Sequence, residues 1–408
     1  MALHAQSDFP SSAPVTLLES IQEVLRETDT PGAGLALVSR ERLEWAGGVG
    51  YADVETGRVV TSTTLFRIGS ISNIFVALSV LRLQERGHLE LGDFVSSLAP
   101  GLEVQNPWTQ SHPLTLAHLL EHTGGLDDLQ AHECAHNAPS PISLREGLAL
   151  RPMHLCRWPP GKLFSYSDAG PAMAALVVEK ITGQPFESYV QEELFAPLGM
   201  ETSTFYQNER LARGYVKGRS VDYQYLGLRA SGAVNSSPGE MAALLLLFLN
   251  RGRYGQRQVL TPESIYRMET PSTSLAARSG IRTGYGLCLN TTILDGFLVR
   301  GHSGSIGGYR SRFEYLPRCG KGFVLFINST SAAALSRSAR IVRQHLLSPQ
   351  RQLDRLLRRQ GQRLVSGVDV ERLSAPQDGR ERLDRGTHDV VVWLLGREGH
   401  ARGLGVEP

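Results

Sequence analysis

The spacing of apolar residues divides the chain into helix-like and strand-like stretches. Leu17, Leu18, Ile21, Val24 and Leu25 recur at helical spacing over residues 15–28. Gly32–Ser39 is an apolar run that predicts a buried strand. Leu43–Tyr51 predicts its partner, with Arg40-Glu41-Arg42 as the hairpin loop. After Ser70, the positions of Ile74, Phe75, Leu78, Leu81 and Leu83 predict a helix that stops at Gly87, a residue tolerant of positive φ. Further helices are predicted over 113–126, from Pro171 to Ile181, from Glu187 to Phe195 and over 239–250. The last of these opens with the capping sequence Ser237-Pro238-Gly239-Glu240. The final regular part is strand-rich: Tyr285–Leu289, Thr292–Arg300, Ser311–Tyr315 and Gly322–Asn328, then a helix at about 333–347. No internal repeat stands out.

Helix, strands, a long helical middle, strands and a closing helix imply an α/β (α+β) fold. Its antiparallel sheet is formed by the N- and C-terminal segments with flanking helices, and a mainly helical region is inserted between them. The sheet region covers about 15–65 and 250–347 and the helical region about 70–250, together one domain over 15–347. Residues 348–408 behave differently, with eleven arginines, no lysine and only Val390–Leu395 strand-like. This Arg-rich tail reads as disordered, as a fragment of an accessory domain, or as the product of a shifted frame, which reading the other frames would test.

Composition narrows the function. Hydrophobic residues are 41% and charged residues 20%, which excludes a wholly disordered chain. A net charge of +2 gives no nucleic-acid footprint and no polybasic membrane patch. The longest apolar run, Met241–Leu249, falls far short of the ~20 residues of a membrane span. The first residues have neither a basic n-region nor an apolar h-region, so the default expectation is a cytoplasmic protein unless a leader has been lost. Cys134, Cys156, Cys288 and Cys319 form no Cys-x-x-Cys pair. His132-Glu133-Cys134-Ala135-His136, with His154 and Cys156 downstream, sits in a Pro-, Asn- and Ser-rich loop, and no metal is assigned there. Of the 42 cationic residues only Lys162, Lys180, Lys217 and Lys321 are lysine.

Three segments carry candidate chemistry. Leu65-Phe66-Arg67-Ile68-Gly69-Ser70-Ile71-Ser72-Asn73 lies at the mouth of a helix. Pro160-Gly161-Lys162-Leu163-Phe164-Ser165-Tyr166-Ser167-Asp168 precedes another. Gly301-His302-Ser303-Gly304 enters a Gly-rich turn and a strand. In this order they resemble the serine β-lactamase and penicillin-binding-protein superfamily, in its class C β-lactamase, DD-peptidase and esterase branch. Leu119-Leu120-Glu121-His122-Thr123-Gly124-Gly125-Leu126, Ala230 to Met241, Tyr285-Gly286-Leu287 and Gly307-Gly308-Tyr309 also fit that pattern, and the likeness spans roughly 15–347.

The resemblance implies a serine nucleophile at Ser70, an assisting tyrosine at Tyr166 and a third-motif residue at His302. Ser303 and Gly304 would meet substrate, Tyr309 would line the pocket mouth or simply pack, and no cofactor is implied. Backbone N–H groups would form the oxyanion hole. Two positions depart: Asn73 stands where the family has the lysine of Ser-x-x-Lys, and Asp168 where it has the asparagine of Tyr-x-Asn. An amide does not titrate in the working range, so Asn73 can orient Ser70 but cannot be its base. Asp168, with its pKa raised by burial, and His302 are the candidate replacement bases. Lys162, on a surface turn, is not. Phe66 and Arg67 read as scaffold, and Glu121 and His122 as supporting loop residues. The resulting expectation is a serine hydrolase forming an acyl-enzyme on a small-molecule or peptide ester or amide. Its alternative is a catalytically silent member that binds a peptide, ester or protein partner. Loss of the lysine charge favours neutral esters or amides over anionic β-lactams, with His302, Arg310 and Arg312 as the remaining cationic candidates. Oligomeric state is not readable.

Overall fold

The computed structural model of the chain describes residues 14–128, 142–150 and 154–348, with the backbone of 135–136. The predicted tail beyond residue 348 lies outside the described residues, as do His132, Glu133 and Cys134.

Eight antiparallel strands form the main sheet: β1 (Gly32–Ser39), β2 (Leu43–Asp53), β3 (Arg58–Val59), β4 (Gly284–Tyr285), β5 (Asn290–Leu294), β6 (Phe297–Ile306), β7 (Tyr309–Leu316) and β8 (Lys321–Ile327). Their order is β4-β5-β6-β7-β8-β1-β2-β3, so the two ends of the chain meet at the β8–β1 pair. Strand β1 is buried along nearly its whole length, which explains its unbroken apolar run. Helix α1 (Val15–Glu27) and a closing helix α5 (332–348) cover one face. Leu18, Ile21 and Leu25 pack there with Leu335, Val342 and Leu346 against Leu35, Trp45, Phe323 and Leu325. On the opposite face lies α4 (Pro238–Leu249), and α2 (Asn73–Glu85) and α3 (Ala169–Thr182) form the centre of the helical region. α2 and α3 are buried around most of their circumference, so their sequences show little amphipathic contrast.

Four predicted elements take a different form. The helix expected over 113–126 is limited to Leu116–Leu120. Glu121 leaves it because its buried carboxylate binds Arg267 and the backbone N–H groups of Ser272 and Thr273, and His122 adopts a positive φ. The strand expected over Thr292–Arg300 is the turn of a hairpin, with Asp295 and Gly296 both at positive φ between β5 and β6. Such an Asp-Gly pair matches the twist of a two-residue hairpin loop. The expected strand Tyr285–Leu289 stops at Tyr285 because Cys288 has a positive φ and donates its N–H to Leu120. The helix expected from Glu187 runs over Phe186–Val190 and widens to a π-turn over Gln191–Phe195.

The outer layer is tied to the sheet by an ion pair. Arg343 of α5 donates through Nε and Nη2 to Glu314 of β7 at 2.5 and 2.9 Å, and both residues are buried. Removing one partner leaves an uncompensated buried charge. Arg343→Met should therefore lower unfolding free energy by about 3–5 kcal/mol in denaturant titration, and adding Glu314→Leu should recover most of the loss.

Candidate active site

Ser70 sits in a 3-10 turn, Gly69–Ser72, that leads into α2. The turn is held by close backbone approach. Gly69 has φ +55, and a Cβ there would lie 2.8 Å from Ser305 N. A Cβ on Gly304 would lie 2.0 Å from Ile68 O. Ser311 Oγ donates to that same carbonyl at 2.6 Å, and Ser72 Oγ donates to Gly69 O at 2.7 Å. The strand of the third motif is thus pressed onto the turn that carries Ser70. Strand β5 pairs with β6 only as far as Gly301, while β7 pairs with it to Ile306. One edge of 302–306 therefore has no strand partner among the described residues.

Asn73, fully buried, donates from Nδ2 to Tyr166 Oη at 2.9 Å. Its Oδ1 has no partner among the described residues. Burial pushes the Tyr166 phenol well above its ordinary range, the Asp168 charge adds to this, and hydrogen bonding with Ser70 opposes it. Tyr166 is a neutral phenol at neutral pH.

Asp168 precedes α3 without capping it. Its Oδ1 is sealed and has no hydrogen-bond partner among the described residues, although the residue as a whole is half-buried. Burial, then the Asp128 charge, raises its carboxyl from 3.8 to about 7. Its side chain makes no hydrogen bond to Ser70 or Asn73 among the described residues, so the structure does not couple the two altered positions directly.

His302 is buried and closed at both ring nitrogens. Nδ1 lies 2.6 Å from Ser303 O, an atom that only accepts, so the proton resides on Nδ1. Nε2 then accepts from the Tyr285 hydroxyl. Burial lowers the imidazole from 6.5 to about 4; the Ser303 hydrogen bond opposes this, and the nearby Arg312 charge adds to it. A neutral ring with its lone pair engaged is poorly placed to act as a base for Ser70 or as a cationic anchor.

Ser70, Tyr166, His302, Ser303 and Gly304 line one cavity of about 540 Å³ with Phe164, Tyr285 and Ser305. Tyr309 is not part of its wall: it is buried, and its hydroxyl donates to Ala212 O at 2.5 Å, a packing role. Arg310 and Arg312 line the far side of the cavity. Arg310 Nε donates to Thr330 O, whereas Arg312 Nε is buried without a partner among the described residues. Both arginines expected as remaining cationic candidates therefore border the cavity. Tyr285 entered the sequence reading only as part of a family pattern. Its bond to His302 spans seventeen residues and depends on the Asp295-Gly296 hairpin, the one local signal from which the pairing was readable.

No group of three or more His, Cys, Asp or Glu suited to a metal occurs among the described residues, and none of their helices is long and apolar enough to cross a membrane.

Comparison with known proteins gives a consistent picture. The family model described as Beta-lactamase matches residues 18–347. The putative penicillin-binding protein PbpX of Bacillus subtilis is 25% identical over 290 residues, 69% of each chain. Esterase EstB of Burkholderia gladioli is 33% identical over 211 residues, 48% of this chain and 53% of the esterase. The structure of the octameric penicillin-binding protein homologue from Pyrococcus abyssi matches with a TM-score of 0.70 at 27% identity, covering 83% of this chain and 78% of that one.

The buried histidines set the response of stability to pH. His118 and His302 fall from 6.5 to about 4, and His122 to about 3, each chiefly through burial. From pH 6.5 down to about 4 the unfolded chain takes up protons that these folded residues refuse, so stability is lost as pH falls. Asp168, raised from 3.8 to about 7, acts oppositely across that window. Three groups outweigh one, and chemical denaturation at pH 7 and pH 5 should show lower stability at pH 5. His302→Asn should flatten this dependence and Asp168→Asn should steepen it.

Proposed function

The chain belongs to the beta-lactamase family, and we propose that it is a serine hydrolase that accepts acyl groups from esters or amides on Ser70. The observation that carries this reading is the Asn73–Tyr166 hydrogen bond beside Ser70 on one cavity wall.

As Ser70 Oγ attacks the carbonyl carbon and the bond to the leaving oxygen or nitrogen breaks, the phenol's own proton passes to the leaving atom and the Ser70 proton replaces it on Tyr166 Oη, in one concerted exchange. Tyr166 ends as it began, so no full charge has to persist in a buried site. This suits a chain with asparagine where the family pattern has lysine. Asn73 Nδ2 steadies the partial negative charge on Oη during the exchange. A water then releases the acyl group by the same relay in reverse. The backbone N–H groups of Ser70 and Ser305 would bind the oxyanion, a reading supported by the close approach of Gly69 to Ser305 N. Asp168 favours the neutral phenol by its charge. His302 and Tyr285 form a fixed wall.

A neutral relay is weaker than an amine base, so turnover is expected to be orders of magnitude below that of a lysine-bearing site. Substrates with good leaving groups fit it best. The lone Nε of Arg312 favours substrates that carry a carboxylate away from the scissile bond, which modifies the expectation of purely neutral substrates.

Intact mass after treatment with a fluorophosphonate tests the reading. The native chain should gain one phosphonyl group, Ser70→Ala none, Tyr166→Phe should react about 100-fold more slowly, and Asn73→Lys faster. An adduct only with Asn73→Lys would mark a disarmed site and favour the silent, binding alternative. No adduct in any version would overturn the site assignment. With paired p-nitrophenyl esters, Arg312→Gln should raise KM for the carboxylate-bearing ester and leave the neutral one unchanged.

A further inference from the structure

We propose that His122 is a positioning residue for Tyr166, holding the phenol in line with Ser70 and Asn73 through its ring, its Nδ1 and its carbonyl. The proposal rests on the reading above, in which Tyr166 carries the Ser70 proton.

The contacts converge on one side chain. The His122 ring stacks on Tyr166 with centroids 4.2 Å apart and planes 28° from parallel. Its carbonyl accepts from Ser165 N at 2.8 Å, and its Nδ1 accepts from Ser167 N at 3.3 Å. The residues immediately before and after Tyr166 are thus bonded to the same residue whose ring covers it. Tyr285 and Phe164 close the other sides of the imidazole edge-on, at 4.7 and 6.1 Å.

Two features of His122 are unfavourable in isolation. Its φ is +52, a conformation that disfavours residues with a Cβ. The backbone donor on Nδ1 places the ring proton on Nε2, and that buried N–H has no partner among the described residues. A strained backbone and an orphaned donor persist only where surrounding contacts over-determine them, and such residues gather at functional sites. Here the contacts that over-determine His122 are those that immobilise Tyr166. Burial and the facing His302 keep the imidazole neutral, so it adds no charge that would favour a phenolate.

Substitutions separate the contributions. His122→Asn tolerates positive φ and retains an acceptor but has no ring. His122→Phe retains a ring but has no acceptor. His122→Ala has neither. Each is read by the phosphonylation rate of Ser70, by kcat and KM on a p-nitrophenyl ester, and by NMR of ¹³Cζ-labelled tyrosine with Tyr166 assigned from Tyr166→Phe. We expect His122→Ala to slow Ser70 about 100-fold, as a small misplacement of a reacting group does, with kcat falling and KM little changed. His122→Phe should recover part of that rate. His122→Asn, the variant expected to fold most readily, should move the Tyr166 resonance through loss of the stacked ring and slow Ser70. A native rate in folded His122→Asn overturns the proposal, and so does an unchanged Tyr166 resonance. Should Ser70 of the native chain prove unreactive, the relay fails, and the Tyr166 resonance alone then decides whether His122 positions the phenol.

Discussion

The close approach of the Ile68–Ser70 turn to the Gly304–Ser305 strand is the constraint on which the site depends. Two glycines make it possible, since a Cβ on either would meet backbone atoms well inside contact distance. The Ser311 hydroxyl then locks the contact through Ile68 O. Without this approach the turn that carries Ser70 would stand apart from the strand of the third motif. The sheet supplies the strand and the helical region supplies the turn, so the cavity exists because two layers meet at backbone distance.

Electrostatics around that contact are arranged by burial rather than by charge. Tyr166, Tyr285, His122 and His302 are all held neutral at neutral pH, each chiefly by desolvation. The charged groups stand off: Asp168 with its sealed oxygen on one side and Arg312 on the other. In low-dielectric surroundings a hydrogen bond is stronger than in water, and an unpaired charge is costly. A relay that moves protons without separating charge is the chemistry such surroundings favour.

Much of the fold was readable from the chain. The apolar runs of β1 and β8, and the helical spacing of α1 and α5, follow directly from burial on one or both faces. The three motif segments were readable because each joins a turn to a regular element. Less readable were features set by distant partners. Glu121 reads as a supporting residue inside a helix expected over 113–126, and only Arg267 and the 272–273 backbone show why the helix stops before it. His302 reads as a free base until Tyr285 occupies its nitrogen. Tyr309 reads equally as a pocket or a packing residue until its hydroxyl is found on Ala212. Asn73 and Asp168 read as an exchanged pair, yet the amide turns to Tyr166 instead. Local pattern shows which face is buried, but not which of several polar neighbours a buried side chain will choose.

The β8–β1 pair has a consequence for the order of assembly. Ala33 registers with Ile327, and Asn328 accepts from Gly32 N at 2.8 Å while donating to Tyr51 O. The hairpin made first on the ribosome therefore lacks its central neighbour until about 270 further residues have been synthesised. Contacts of such sequence separation are slow to form, and they leave a strand edge open in the meantime. The helical region can pack early, since α2 and α3 meet within it. The nucleophile turn, by contrast, acquires its strand only when the end of the domain arrives. A partly synthesised chain thus holds Ser70 without a reaction cavity, so any activity belongs to the finished sheet.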